Sequence, residues 1–260
     1  MEVVIVPGAT DAGALVGGHI AGLLAARPAT VLGLATGSSP LAVYRDLARR
    51  HTAGEVSFAA ARAFLLDEYI GLPDGDARGY RRFIADNLEH HVDFAPGAVR
   101  GPDVGAPDLV AACADYEAAI AAAGGVDLQL LGIGTDGHIG FNEPGSSLAS
   151  RTRIKTLTDQ TRRDNARFFA SVDEVPRHVV TQGVGTILEA RHLVLLAFGG
   201  AKAAAVARAV EGPVTAMVPG SALQLHPHAT VVVDEAAAAG LTLADYYRET
   251  WAHKPPWQEL

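Results

Sequence analysis

His138 stands two residues after Asp136 and five before Glu143, in the stretch LLGIGTDGHIGFNEP at residues 130–144. An imidazole flanked by carboxylates is suited to moving protons near neutral pH. Four glycines (Gly132, Gly134, Gly137 and Gly140) share the stretch and let the backbone take positive φ and approach a ligand closely. Asp136 and His138, two apart on an irregular loop, can turn toward one point, and Glu143 is near enough to orient the ring. The same residues also suit a loop whose histidine caps carbonyls and whose acids are solvated; spacing leaves both readings open.

Other stretches carry polar groups at equivalent places. Asp67-Glu68-Tyr69 follows an apolar run. Neighbours on a strand point opposite ways, so one acid can face a cleft while the other supports it, or both can be solvated. Thr36-Gly37-Ser38-Ser39-Pro40 lies between a strand and a helix, with Ser39 placed as N-cap and Pro40 as first helical residue. Such a turn aims N–H groups at an anion, most naturally a phosphate, or is an ordinary strand-to-helix turn. Gly199-Gly200-Ala201-Lys202 repeats the pattern. Residues 145–155 (GSSLASRTRIK) concentrate donors and positive charge in an acidic chain, as a second anion site or an ion-pair face.

Periodicity supplies the elements that position these groups. Strands are expected at 3–6, 31–35, 63–66, 126–131, 192–198 and 230–233. Helices are expected from a Thr10 or Asp11 cap to Ala26, and at 40–50, 80–90, 108–123, 158–170 and 241–251. The helix at 108–123 would bury Leu109, Cys113, Tyr116 and Ile120. The polar stretch at 156–176, with Arg162, Arg163 and Arg167, is a lid candidate. Strands alternating with helices predict an α/β fold: a doubly wound, Rossmann-like, mostly parallel sheet with helices on both faces. No composition break divides the 260 residues, so one domain spanning 1–260 is expected.

Composition narrows the function. Half the residues (49%) are hydrophobic, enough for a sizeable core. The net charge of −8 argues against a nucleic-acid surface. Cys113 is the single cysteine, so no intrachain disulfide can form, in keeping with a reducing, cytoplasmic setting. The apolar run after Met1 is too short for a signal peptide and carries Glu2; no stretch approaches the length of a membrane span. The ten histidines are scattered, and His90, His91, His226 and His228 read as helix-end or loop residues, so no metal is expected.

Together the stretches resemble the glucosamine-6-phosphate deaminase family. They are LGLATGSSP (32–40), LDEYIGLP (66–73), GIGTDGHIGFNEP (132–144), SSLASRTRIKT (146–156), GVGTIL (183–188) and SALQLHP (221–227). The resemblance covers residues 30 to 235; the tail from Ala236 and the Ala/Gly-rich first helix fall outside it. It implies conversion of glucosamine 6-phosphate and water to fructose 6-phosphate and ammonia, in amino-sugar catabolism, with no cofactor. It implies His138 for ring opening, with Asp136 and Glu143 holding the imidazole, and Asp67 as the base at C2. The phosphate would lie on Thr36, Gly37, Ser38 and Ser39 with Arg167 and Lys202. Regulated members bind N-acetylglucosamine 6-phosphate at a subunit interface. The matching contacts are Ser146, Ser147, Arg153 and Lys155, which makes a homo-oligomer, a hexamer among the options, an expectation. The wider fold family includes 6-phosphogluconolactonase, which does not typically carry the DEY and DGHIGFNEP pair. A lactonase or plain isomerase, and a sugar-phosphate sensor without turnover, are the alternatives.

Overall fold

The computed structural model describes residues 1–260 apart from Arg167, Phe168, Pro256 and Glu259. In spatial order its central sheet runs β1 (Glu2–Val6), β10 (Ala229–Asp234), β9 (His192–Ala197), β6 (Leu128–Leu131), β2 (Val31–Leu34), β3 (Arg62–Leu65) and β5 (Val99–Arg100). Every neighbouring pair is parallel. All residues of β2, β6 and β9 are buried, as expected for strands covered by helices on both faces. From β2 the chain builds outward through β3 to β5, then returns to lay β6 on the other side of β2. The order therefore reverses between β2 and β6, the place where open α/β sheets bind ligands.

The Rossmann-like, mostly parallel sheet is as expected, but a second sheet is present that periodicity did not reveal. β4 (Asp67–Tyr69), β8 (His178–Thr181) and β7 (Arg153–Thr156) form an antiparallel ribbon. Asp67 thus begins a new strand two residues after β3 ends. Its neighbours Tyr69 and Val179, with Phe141, Leu157 and Val175, make a second small apolar cluster.

Helix boundaries differ from expectation where capping was misread. The first helix, α1 (Ala9–Ala26), starts at Gly8 with no side-chain cap, not at Thr10 or Asp11. α2 (Leu41–Thr52) is preceded by Pro40 at the N-cap, and Ser39 does not cap it. Asp108 does cap α4 (Leu109–Ala122), accepting from the amides of Val110 and Ala111. That helix buries Cys113, Tyr116 and Ile120, while Leu109 is half-buried. α3 (Tyr80–Asn87) ends in a short 3-10 turn. α5 (Asp159–Asn165) is shorter than expected and is capped by Thr158. After α6 (Val184–Leu188) and α7 (Ala203–Val210), a short helix α8 (Glu235–Ala238) that was not expected precedes α9 (Ala244–Ala252), which matches the last expected helix.

By length and composition α1 is long and apolar enough to cross a membrane, which the sequence reading missed. In the fold it lies against α2. A Cβ on Gly13 would sit 2.6 Å from the Ala42 carbonyl oxygen, and one on Gly17 2.3 Å from Asp46 Oδ2. Gly13 and Gly17 therefore serve close helix packing.

Candidate active site

Loops from the C-terminal ends of four parallel strands meet at the β2/β6 reversal. β2 leads to the Thr36 turn, β3 to Asp67, β6 to the Gly132 loop and β9 to Gly199 and Lys202. They enclose a pocket of about 470 Å³ lined by Thr36, Gly37, Ser38 and Ser39, by Asp67 and His138, and by Lys202. That volume suits a small metabolite. Asp67 and His138 therefore flank one cavity.

The Thr36 turn depends on Gly37, whose φ of 89° lies in the left-handed region that side chains disfavour. Opposite, Lys202 sits where a 3-10 turn passes into α7, and its Nζ donates to the Ile133 carbonyl at 2.7 Å. The ammonium is thereby held over the Gly132 loop. Arg167, the other expected phosphate ligand, lies outside the described residues.

Asp67 is 5% exposed. Burial pushes its carboxyl well above the usual carboxylate range, and the neighbouring Glu68 adds to this. Asp67 and Tyr69 line the pocket while Glu68 faces the opposite side of β4, the alternation a strand requires. Glu68 is not solvated. It is 8% exposed and accepts from the backbone amides of Tyr69, Tyr80 and Arg81.

Asp136 Oδ1 lies 2.8 Å from His138 Nδ1 in a bent contact, off the line of a linear hydrogen bond, and accepts the His138 amide at 3.1 Å. Burial alone would raise the Asp136 carboxyl; the adjacent His138 ring and backbone amide outweigh it and hold it down at about 2. A Cβ on Gly134 would lie 2.2 Å from His138 Cε1, so the missing side chain makes the space for the ring.

Glu143 does not meet the expectation that it holds the imidazole. Its carboxylate, 4% exposed, accepts from the Thr158 amide at 3.1 Å, the Thr158 hydroxyl at 2.9 Å and the Thr161 hydroxyl. It is bound to the start of α5, the first helix of the lid candidate. The residue after Asn142 points away from the loop because Asn142 is fixed inward, its Nδ2 donating to the Ile139 and Gln182 carbonyls.

None of Ser146, Ser147, Arg153 and Lys155 lines the pocket. Ser146 is buried, Ser147 Oγ accepts the Ala149 amide, and Lys155 lies on β7. Arg153 donates to Asn142 Oδ1 at 2.9 Å. The ion-pair alternative holds for Arg151, which meets Glu117 and Glu189.

Several residues were missed. Thr181, opposite Asp67 on β8, accepts the Phe141 amide through Oγ1 at 3.1 Å, joining the ribbon to the histidine loop. Tyr80 stacks on Phe141 with ring planes 5° apart, and its hydroxyl lies 3.3 Å from that of Tyr69. The clustering of Tyr69, Tyr80 and Phe141 in polar motifs was the available signal. His226 bonds the Ala190 and His228 carbonyls, a loop role. Among the described residues no three His, Cys, Asp or Glu side chains are grouped to hold a metal.

A parallel sheet whose reversal-point pocket brings a buried carboxylate and an imidazole opposite a glycine–serine turn is an α/β small-metabolite site. The chain belongs to the family of glucosamine-6-phosphate isomerases and 6-phosphogluconolactonases, whose profile matches residues 9–233. Within that family it is 66% identical to glucosamine-6-phosphate deaminase of Beutenbergia cavernae and 62% identical to that of Mycolicibacterium smegmatis, each match covering all of both chains. A solved structure described as a monomeric glucosamine-6-phosphate deaminase superposes with a TM-score of 0.90 at 41% identity, covering 92% of this chain and all of that one. A 6-phosphogluconolactonase from Thermotoga maritima superposes at 0.70 with 19% identity over 90% of this chain and 98% of that one, a likeness of fold.

Proposed function

We propose that this chain converts glucosamine 6-phosphate and water into fructose 6-phosphate and ammonia, as a cytoplasmic enzyme of amino-sugar catabolism. The observation that carries the reading is that Asp67 and the Asp136-held His138 line one pocket with the Thr36 turn and Lys202.

The phosphate occupies the turn at residues 36–39, with Lys202 supplying positive charge. His138 opens the pyranose, taking the O1 proton and returning one to the ring oxygen, while Asp136 steadies the ring. In the open chain the C2–H is flanked by the C1 carbonyl, which accepts negative charge as that proton leaves. Asp67 removes it and returns it to C1. Burial makes this carboxylate a stronger base than one in water. The resulting ketimine at C2 is hydrolysed, releasing ammonia.

The test is to incubate purified chain with glucosamine 6-phosphate and measure ammonia and fructose 6-phosphate together. Equimolar appearance is expected. Turnover of 6-phosphogluconolactone without ammonia would replace this reading. The relative described as monomeric supports a single-chain form over the hexamer, and gel filtration with and without N-acetylglucosamine 6-phosphate tests that choice alongside the activator site.

A further inference from the structure

Glu68 has no place in the reaction above, yet it is a buried acid next to the base. Its carboxylate collects three backbone N–H groups: Tyr69 at 2.9 Å, Tyr80 at 2.9 Å and Arg81 at 2.7 Å. The last two are the opening amides of α3, where the helix dipole favours an anion. One carboxylate thus ties β4 to α3.

Both ends of that tie reach the pocket. On β4, fixing Glu68 on the outer side fixes Asp67 on the inner side, because a strand alternates. At α3, Tyr80 follows immediately from the gripped amide. Its hydroxyl lies 3.3 Å from that of Tyr69, and its side chain lines the pocket together with Thr36 of the anion turn. Glu68 therefore fixes both where the base stands on β4 and where Tyr80 enters the pocket beside the phosphate turn.

We propose that Glu68 is a positioning residue that sets Asp67 at the correct distance from a turn-bound sugar phosphate. The inference rests on Asp67 being the base at C2. Glutamine has a single acceptor oxygen and would turn its NH2 toward one of the three amides, and it lacks the charge with which the carboxylate opposes ionisation of the neighbouring acid. The groups around Asp67 are Glu68 and Tyr69 on its own strand, Tyr80 from α3, Tyr116 from α4, and Arg78, His138, Asp164 and Lys202 around the cavity. Of the two other carboxylates in that set, Glu68 is adjacent and buried, and Asp164 is on α5.

The experiment compares wild type, Glu68→Gln and Asp67→Asn by ammonia release from glucosamine 6-phosphate across a full pH range. Glu68→Gln is expected to lower kcat roughly tenfold with KM within about twofold, and to move the acid limb of kcat/KM down by roughly one pH unit. A merely structural residue would lower thermal stability and leave that limb in place. A folded Glu68→Gln with an unmoved limb overturns the proposal. If Glu68→Gln does not fold, Glu68→Asp keeps the anion and loses the reach to α3. A lower kcat with an unmoved limb is then expected, and wild-type kcat overturns the proposal. An inactive wild type, or an Asp67→Asn with full turnover, defeats the reading of Asp67 itself. Active wild type, inactive Asp67→Asn and an unaltered Glu68→Gln defeat only the role of Glu68.

Discussion

Glu143 and Thr161 are hydrogen-bonded side chain to side chain, both buried, across 18 residues of sequence. The bond joins the end of the histidine loop to the helix that overhangs the pocket, since Thr161 lines that pocket. Thr161→Val leaves a buried carboxylate short of one donor, at a cost of ~1–3 kcal/mol. Faster limited proteolysis within residues 157–176 and a raised KM are expected. Unchanged proteolysis would show that the bond does not hold the segment.

Asp67→Asn is expected to cut turnover about a hundredfold or more, with phosphate affinity nearly intact. Inorganic phosphate inhibition measures the second quantity. Equal loss of both would give Asp67 a structural role.

The same substitution carries a stability prediction. The folded Asp67 holds its proton more tightly than the unfolded chain does. That preference stabilises the native state below the unfolded carboxylate range and is lost as pH rises through the folded pKa. Wild type therefore keeps the strain of a buried charge at alkaline pH, and Asp67→Asn relieves it. A gain of ~1 kcal/mol would raise Tm by about 2–4 °C at alkaline pH and less in acid. A pH-independent difference would contradict the assignment.

Gly134→Ala tests the seat of the imidazole. The added carbon would fall 2.2 Å from His138 Cε1, so the ring must move. A folded protein with kcat reduced at least tenfold is expected, read by circular dichroism and the ammonia assay.

Lys202→Met removes a cation that lines the pocket with the anion turn. A charged hydrogen bond is worth roughly 1.5–3 kcal/mol. KM should rise about ten- to a hundredfold with kcat changed less, in steady-state kinetics.

The parallel sheet was legible because β6 and β9 are apolar runs closed by glycines, a pattern that requires few distant contacts to interpret. The loops with Asp136, His138, the Thr36 turn and Lys202 were legible for the same reason: each follows a strand directly. The ribbon was not, because β4 and β7 are short and polar, and they become strands only by pairing with β8. Glu143 was misassigned because nearness to His138 in sequence says nothing about Thr158 and Thr161, which approach only when α5 folds back. Ser39 failed as a cap because helix onset at Leu41 is set by Pro40 at the cap position, one residue later than the serine suggests.

Asp67 lies on the ribbon, whereas the His138 loop, the Thr36 turn and Lys202 grow from the large sheet. Asp67 thus has a mechanical support separate from that of the other pocket groups, meeting them at a single seam. An insertion or exchange within the ribbon would hand the same tethered sugar to a different reagent, so the architecture lets new chemistry arise without rebuilding the anchor.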